Sequence, residues 1–340
     1  MNILFDINHP ADVHFFKFTM EKLKRDGHEI FITARDKDVV LSLLHELELP
    51  FTKLSTSKGG LVNLAIEMLL KDIRLLSYFI RNKIDLAVAF TGTCTSQVGW
   101  LLRTPRLVFY DNDEAKLQNL LTYPFATKIF TPDCYPHDLG KKHERFSGIK
   151  ELAYLHPDYF QPDKNVYTKL GIEQKDKYII IRTVAWQASH DRGQSGLSKD
   201  NIRKLIKLFS DKYKIFIIPE AKIDPEFEEY LLPTTPNDIH HVLAFSDLFI
   251  GEGATMACEC ACLGTPSIYV NTLNPSHVVE LEKVGLINYA ANGNKVVKLA
   301  TSILRNSEKI EWNQKTGNYI SSNNNITTFI YNKINEYSGE

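Results

Sequence analysis

The chain has almost no excess of charge of either sign. Its 40 Lys and Arg stand against 41 Asp and Glu over 340 residues, a formal net charge of −1. That balance gives no global basic field and argues against extended contact with nucleic acid. Cysteine is also scarce. The five present, Cys94, Cys134, Cys258, Cys260 and Cys262, are odd in number and lack disulfide-like spacing. The last three alternate along an expected helix, so they splay around it and do not share one tetrahedral metal. All five read as reduced, small core residues. No stretch is long and uncharged enough to span a bilayer. The first residues enter a strand-like run without a basic-then-apolar leader, so the expectation is a cytoplasmic protein.

What the chain does contain suits a soluble α/β protein of two domains. It is too long for one ordinary core, and 44% of it is apolar against 24% charged. Residues 3–7 form an apolar strand broken only by Asp6. A helix over 15–25, a strand over 29–34 and a helix over 37–47 follow. Strand and helix alternating at this spacing predict a doubly wound sheet, with ligands bound beyond the carboxyl ends of its strands.

Three such ends carry chemistry in the first half. The loop over 8–14 holds His9, Asp12 and His14. Asp12 or His14 suits a general base, and His9 a hold on a phosphate or sugar hydroxyl. The plainer alternative makes them turn and cap residues, with Asp12 as the helix cap. The strand over 85–90 ends in Thr91-Gly92-Thr93. The strand over 107–110 runs into Asp111-Asn112-Asp113-Glu114, where three carboxylates in four residues are poorly explained by packing. Asp111 and Glu114, nearest the strand end and the next helix, are the candidates for proton transfer or sugar binding. Two carboxylates, Asp111 and Asp113, are by themselves a weak basis for a metal site, so none is expected.

Residues 61–83 leave only a thin polar stripe on a long apolar helix. Such a helix is either buried on several sides or lies against something greasy, here a peripheral contact with anionic lipid. Residues 148–163 read as a join between domains. Beyond it, Arg182 ends a strand and begins a loop that also gathers Trp186, His190 and Arg192. Arginine suits a bidentate grip on phosphate. The stretch over 245–270 then presents a buried strand and the turn Gly251-Glu252-Gly253. Two of its positions can take positive φ and let another group approach closely. A helix of small residues opens at Ala254 or Thr255 and stops at Gly264. Its first amides and positive dipole end make a site for phosphate or carboxylate. A βαβ crossover with glycines that only tighten the turn is the alternative.

The run Gly253-Ala254-Thr255-Met256-Ala257-Cys258-Glu259, closed by Gly264-Thr265-Pro266, resembles the donor-site motif of two-domain GT-B glycosyltransferases. It is most similar to that of the N-acetylglucosaminyltransferases that make the peptidoglycan lipid intermediate. Taken whole, the chain resembles a GT-B-like domain-of-unknown-function family of bacteria and archaea, found near surface-polysaccharide genes. The shared pieces are Asp6 to His14, Asp111 to Glu114, Gly148 to Leu155, Arg182 and Gly251 to Met256. The architecture is also similar to the non-hydrolysing UDP-N-acetylglucosamine 2-epimerases, whose carboxylates and histidine correspond to Asp111, Glu114 and His190. Two departures stand out. Cys258 replaces the arginine usual before the helical glutamate, and the first loop lacks the Gly-Gly-x-Gly-Gly turn of the peptidoglycan enzymes.

The resemblance implies two Rossmann-like domains facing across a cleft. Residues 1–150 would serve the acceptor and 151–310 the nucleotide sugar, with 311–340 packing back on the first domain. It implies a glycosyltransferase moving a sugar from a UDP-linked nucleotide sugar, as substrate and with no cofactor, to a saccharide or lipid-linked acceptor. Gly251, Glu252, Gly253, Ala254, Thr255 and Met256 would take the diphosphate, aided by Arg182 and His190, and Glu259 the ribose. Asp12, His14, Asp111 or Glu114 would handle protons. A nucleotide-sugar epimerase or hydrolase is the alternative, and a non-catalytic binding protein on the same fold a third reading.

Overall fold

The computed structural model describes residues 1–58, 60–113, 116–183, 196–219, 223–306 and 309–338. The chain forms two compact units, one of Met1–Tyr154 with Asn324–Glu340, the other of Leu155–Asn323.

The first unit is built on β1 (Asn2–Ile7), β2 (Glu29–Asp36), β3 (Thr52–Thr56), β4 (Leu86–Phe90), β5 (Arg106–Phe109), β6 (Lys128–Pro132) and β7 (His143–Phe146). They pair in parallel in the order β3-β2-β1-β4-β5-β6-β7. The chain winds outward from β1 to β3, then returns to lay β4 on the other side of β1. The strand order therefore reverses between β1 and β4, which is where an open sheet leaves a crevice beyond its carboxyl ends. β4 is buried throughout and β1 from Ile3 onward, as helices on both faces require.

The first helix spans Pro10–Arg25 rather than starting at residue 15. Pro10 occupies the first turn, where its missing N–H costs nothing, and His9 is the N-cap. His9 and Asp12 form a reciprocal capping box. Asp12 and His14 thus sit on the helix and not in a loop. Phe15 and Phe16 from this helix start an aromatic core. Phe16 lies 5.2 Å from Phe5, Phe15 lies 5.1 Å from Phe90, and Phe109 stacks on Phe130 at 4.8 Å. Phe329 then packs 5.7 Å from both Phe130 and Phe146. That contact seats the helix Ile326–Asn335 on this unit, helped by the Thr327 hydroxyl donating to the Ala153 carbonyl at 2.5 Å.

The second unit carries β8 (Tyr178–Thr183), β9 (Lys214–Pro219), β10 (Leu248–Gly251), β11 (Ser267–Val270) and β12 (Asn288–Ala290). They are parallel in the order β12-β11-β10-β8-β9, so the reversal falls between β8 and β10. The helix Lys309–Ser321 belongs to this unit: Thr316 donates to the Ala261 carbonyl at 2.8 Å. Lys309 donates to the Ala244 and Ser246 carbonyls at 2.8 and 3.2 Å, at the end of the helix Ile239–Phe245. The helix Ala254–Leu263 stops at Gly264, whose φ is +69°. A Cβ there would also stand 2.2 Å from Asn313 Oδ1, so backbone and neighbour both require glycine. Among the described residues no helix is long and apolar enough to cross a membrane.

Candidate active site

At the carboxyl end of β1, Asp6 is fully buried and both its carboxylate oxygens are hydrogen-bonded. Thr33, its register partner on β2, donates to Oδ1 at 2.9 Å. Lys71 and Thr95 donate to Oδ2 at 2.8 and 2.7 Å. Burial pushes this carboxyl up, but the charge of Lys71 and the three donors outweigh it and hold its pKa below the ordinary value. Lys71 also donates to Asn8 Oδ1 at 2.6 Å, so the buried pair fixes the first residue beyond the strand. From β4, Thr91 and Gly92 both take left-handed φ, and a Cβ on Gly92 would lie 2.3 Å from that of Ala89. This tight turn starts the helix Thr93–Leu101 and delivers Thr95 to Asp6.

Asp12 is buried, and its Oδ2 accepts the Asn8 and His9 amides at 2.9 Å each. Burial pushes its carboxyl up to about 7 in spite of those amides. His9 keeps an exposed edge, yet desolvation by its surroundings and the charges of Lys37 and Lys150 lower its pKa to about 4. It is a neutral imidazole near neutral pH. His14 is half-buried with its ring 5.3 Å from that of Tyr154. Asp111, just past β5, is buried and paired with Lys150 at 2.6 Å; Lys150 also lies over the Phe90 ring at 5.2 Å. Glu114 lies outside the described residues. One edge of one sheet therefore gathers Asn8, His9, Asp12, Asp111 and Lys150.

In the second unit, Arg182 and Gly251 are register partners at the ends of β8 and β10. Gly251 and Gly253 do not take positive φ; Gly253 is extended at φ −92°, ψ 122°. Positive φ is therefore not used here, and proximity asks for glycine only at Gly251. A Cβ on Gly251 would stand 2.4 Å from the Phe249 ring, and one on Gly253 would stand 3.8 Å from Arg182 Nε. Gly253 is the N-cap of Ala254–Leu263 and provides no side-chain cap. The first-turn residues Ala254, Thr255 and Met256 are half-buried. A guanidinium thus lies beside a helix N-terminus whose first amides lack intrahelical partners, a pairing suited to an anion.

Glu252 is buried, and its Oε1 accepts the Leu197 amide at 2.7 Å. Glu259 is also buried, with Oε1 3.1 Å from His240 Nε2. His190 lies outside the described residues, as do Trp186 and Arg192.

Sequence reasoning passed over Lys71, Lys150 and His240 as site residues. A signal existed for Lys71, which shares the inward i, i+4, i+8 stripe with buried Leu75 and Phe79. Nothing local marked Lys150, because its partner Asp111 is 39 positions away. Among the described residues no group of three or more acidic, His or Cys side chains is placed to hold a metal.

Two parallel α/β sheets, each with its own strand-order reversal, are the elements of the GT-B fold. The comparisons agree. A spinosyn rhamnosyltransferase, SpnG, complexed with spinosyn aglycone superposes with TM-score 0.66 at 11% identity, over 97% of this chain and 99% of that one. The UDP-GlcNAc 2-epimerase of Neisseria meningitidis, bound to UDP-GlcNAc, gives TM-score 0.69 at 12% identity, over 99% of each chain. The chain belongs to the family described as protein of unknown function (DUF354), whose model matches residues 1–337. Uncharacterized protein MJ0665 of Methanocaldococcus jannaschii is 25% identical over 281 residues, 79% of this chain and 81% of that protein.

Proposed function

We propose that this protein is a metal-independent glycosyltransferase that moves a sugar from a UDP-linked nucleotide sugar to an acceptor of surface-polysaccharide or glycolipid assembly. The observation that carries the reading is Arg182 set against Gly253 at the uncapped start of Ala254–Leu263. In glycosyl transfer the diphosphate departs with negative charge. Amides and a guanidinium already in place stabilise that charge without reorganising. Solved structures of the same fold that carry UDP-GlcNAc or are named as a rhamnosyltransferase support this use of it. In this reading the Glu259 carboxylate, braced by His240, takes the ribose hydroxyls. His14, half-buried on the first helix, takes the acceptor's proton, with Asp12 and Asp111 as the other candidates. Melting the protein with a panel of nucleotide sugars tests the proposal. A UDP-sugar at a hundredfold excess over its Kd adds about 2.7 kcal/mol of stability. Glu259→Ala is expected to cut the shift, and no shift with any member of the panel would reject the reading.

A second reading, an epimerase or hydrolase acting on the nucleotide sugar alone, is favoured by one feature. Asp12, with its carboxyl pushed up to about 7, shares a sheet edge with the Lys150-paired Asp111. Two carboxylates in such different settings suit proton exchange at a sugar carbon. Deuterium incorporation or free sugar release in buffer without acceptor would select it.

A further inference from the structure

Among the described residues of the first unit, every exposed large apolar side chain except Val39 lies on three successive helices, Leu61–Asn82, Thr93–Leu101 and Lys116–Thr122. The first packs on the second and the second on the third. Exposure is heavy: Val62 74%, Ile66 53%, Leu69 63%, Ile73 59%, Leu117 69% and Leu120 68%. Scattered single apolar residues need no explanation, but a continuous field of them does. Leu61–Asn82 is anchored by its other face, where Leu75 and Phe79 are buried against Leu4, Leu54 and Val98. The exposed residues are therefore not awaiting burial within their own unit.

Charge chooses the occupant. The only acidic residues of the three helices, Glu67 and Asp72, are half-buried, and Arg35 holds Glu67 at 2.6 and 2.8 Å. The exposed charges on and flanking these helices are Lys58, Arg74, Arg81, Lys83 and Arg103, with one exposed carboxylate, Asp85, which accepts the Asn2 amide at 2.7 Å. A second copy meeting this face across a two-fold axis would set like charges against each other. The successive exposed residues Val62, Leu64, Ala65 and Ile66 are also broader than a helix-pairing seam. An apolar field with a basic border suits an anionic lipid surface, with the apolar side chains entering the acyl boundary. The helices Leu61–Asn82 and Lys116–Thr122 begin beyond the carboxyl ends of β3 and β5. That places Val62, Ile66 and Leu117 toward the sheet edge that carries His9 and Asp111.

We infer that this face seats the protein on a membrane surface bearing anionic headgroups, and that the acceptor is lipid-linked. The second clause rests on the glycosyltransferase reading; the first does not.

The test is co-sedimentation of the full chain with phosphatidylcholine vesicles, with and without phosphatidylglycerol, beside melting with UDP-sugars. The protein is expected to bind the phosphatidylglycerol vesicles, to release them in high salt, and to bind neutral vesicles weakly. Leu69→Ser and Ile73→Ser, both at exposed positions, are each expected to lower vesicle affinity about tenfold while leaving the nucleotide-sugar shift intact. No vesicle binding, equal binding by wild type and the double variant, or a dimer that the double variant splits would overturn the membrane assignment. Loss of the nucleotide-sugar shift with vesicle binding retained would instead overturn only the transferase reading.

Discussion

Asp12→Asn gives a direct measure of how the first unit holds its ionisable groups. Asp12 is 4% exposed, and burial raises its pKa from 3.8 to about 7. The sign follows from which state binds the proton more tightly. The folded chain keeps the carboxyl protonated where the unfolded chain has already released the proton. The favourable contribution is thus fully present below the unfolded pKa and is lost as pH rises through the folded one. About three pKa units at about 1.4 kcal/mol each make the whole loss about 4 kcal/mol. Asparagine has nearly the same shape, keeps an oxygen for the Asn8 and His9 amides, and does not ionise. Denaturant melts of both proteins at about pH 5.5 and about pH 8.5 should show the variant gaining on wild type by about 2 kcal/mol between them. A stability difference independent of pH, or one that moves against the variant at high pH, would refute the burial argument.

Two further substitutions probe the same edge. Lys71→Met strands the Asp6 carboxylate without its cation and should cost about 3–5 kcal/mol in a thermal melt, far more than an exposed lysine would. Gly92→Ala forces a Cβ into left-handed backbone and against Ala89, and should cost about 2 kcal/mol or more by the same measurement.

The parts of this protein legible in its sequence are those set by neighbours along the chain. Alternating apolar strands and helices specify the parallel sheets, and Gly264 marks the end of its helix because backbone and packing ask for the same residue. The glycines before Thr255 are legible as permitting positive φ or close approach; only the placement of the Phe249 ring shows that Gly251 uses the second. Asp12 was legible as a residue of the helix start, while its capping-box partner, His9, is an uncommon N-cap that Pro10 makes workable. The Asp6–Lys71 pair spans 65 positions and Asp111–Lys150 spans 39, so no local pattern predicts either. Glu252 accepts the Leu197 amide, fifty-five positions earlier, a contact that no local pattern marks. The helix over 61–82 was legible as greasy; which of its faces meets solvent depends on the sheet beneath it.

The most direct test of the central claim is calorimetric titration of UDP into the wild-type chain and into Arg182→Ala, with a metal chelator present throughout. The account predicts saturable binding that the chelator leaves unchanged and that the substitution weakens by roughly ten- to a hundredfold, the worth of one charge-assisted contact. Absence of binding, or binding of equal strength in both proteins, would contradict it.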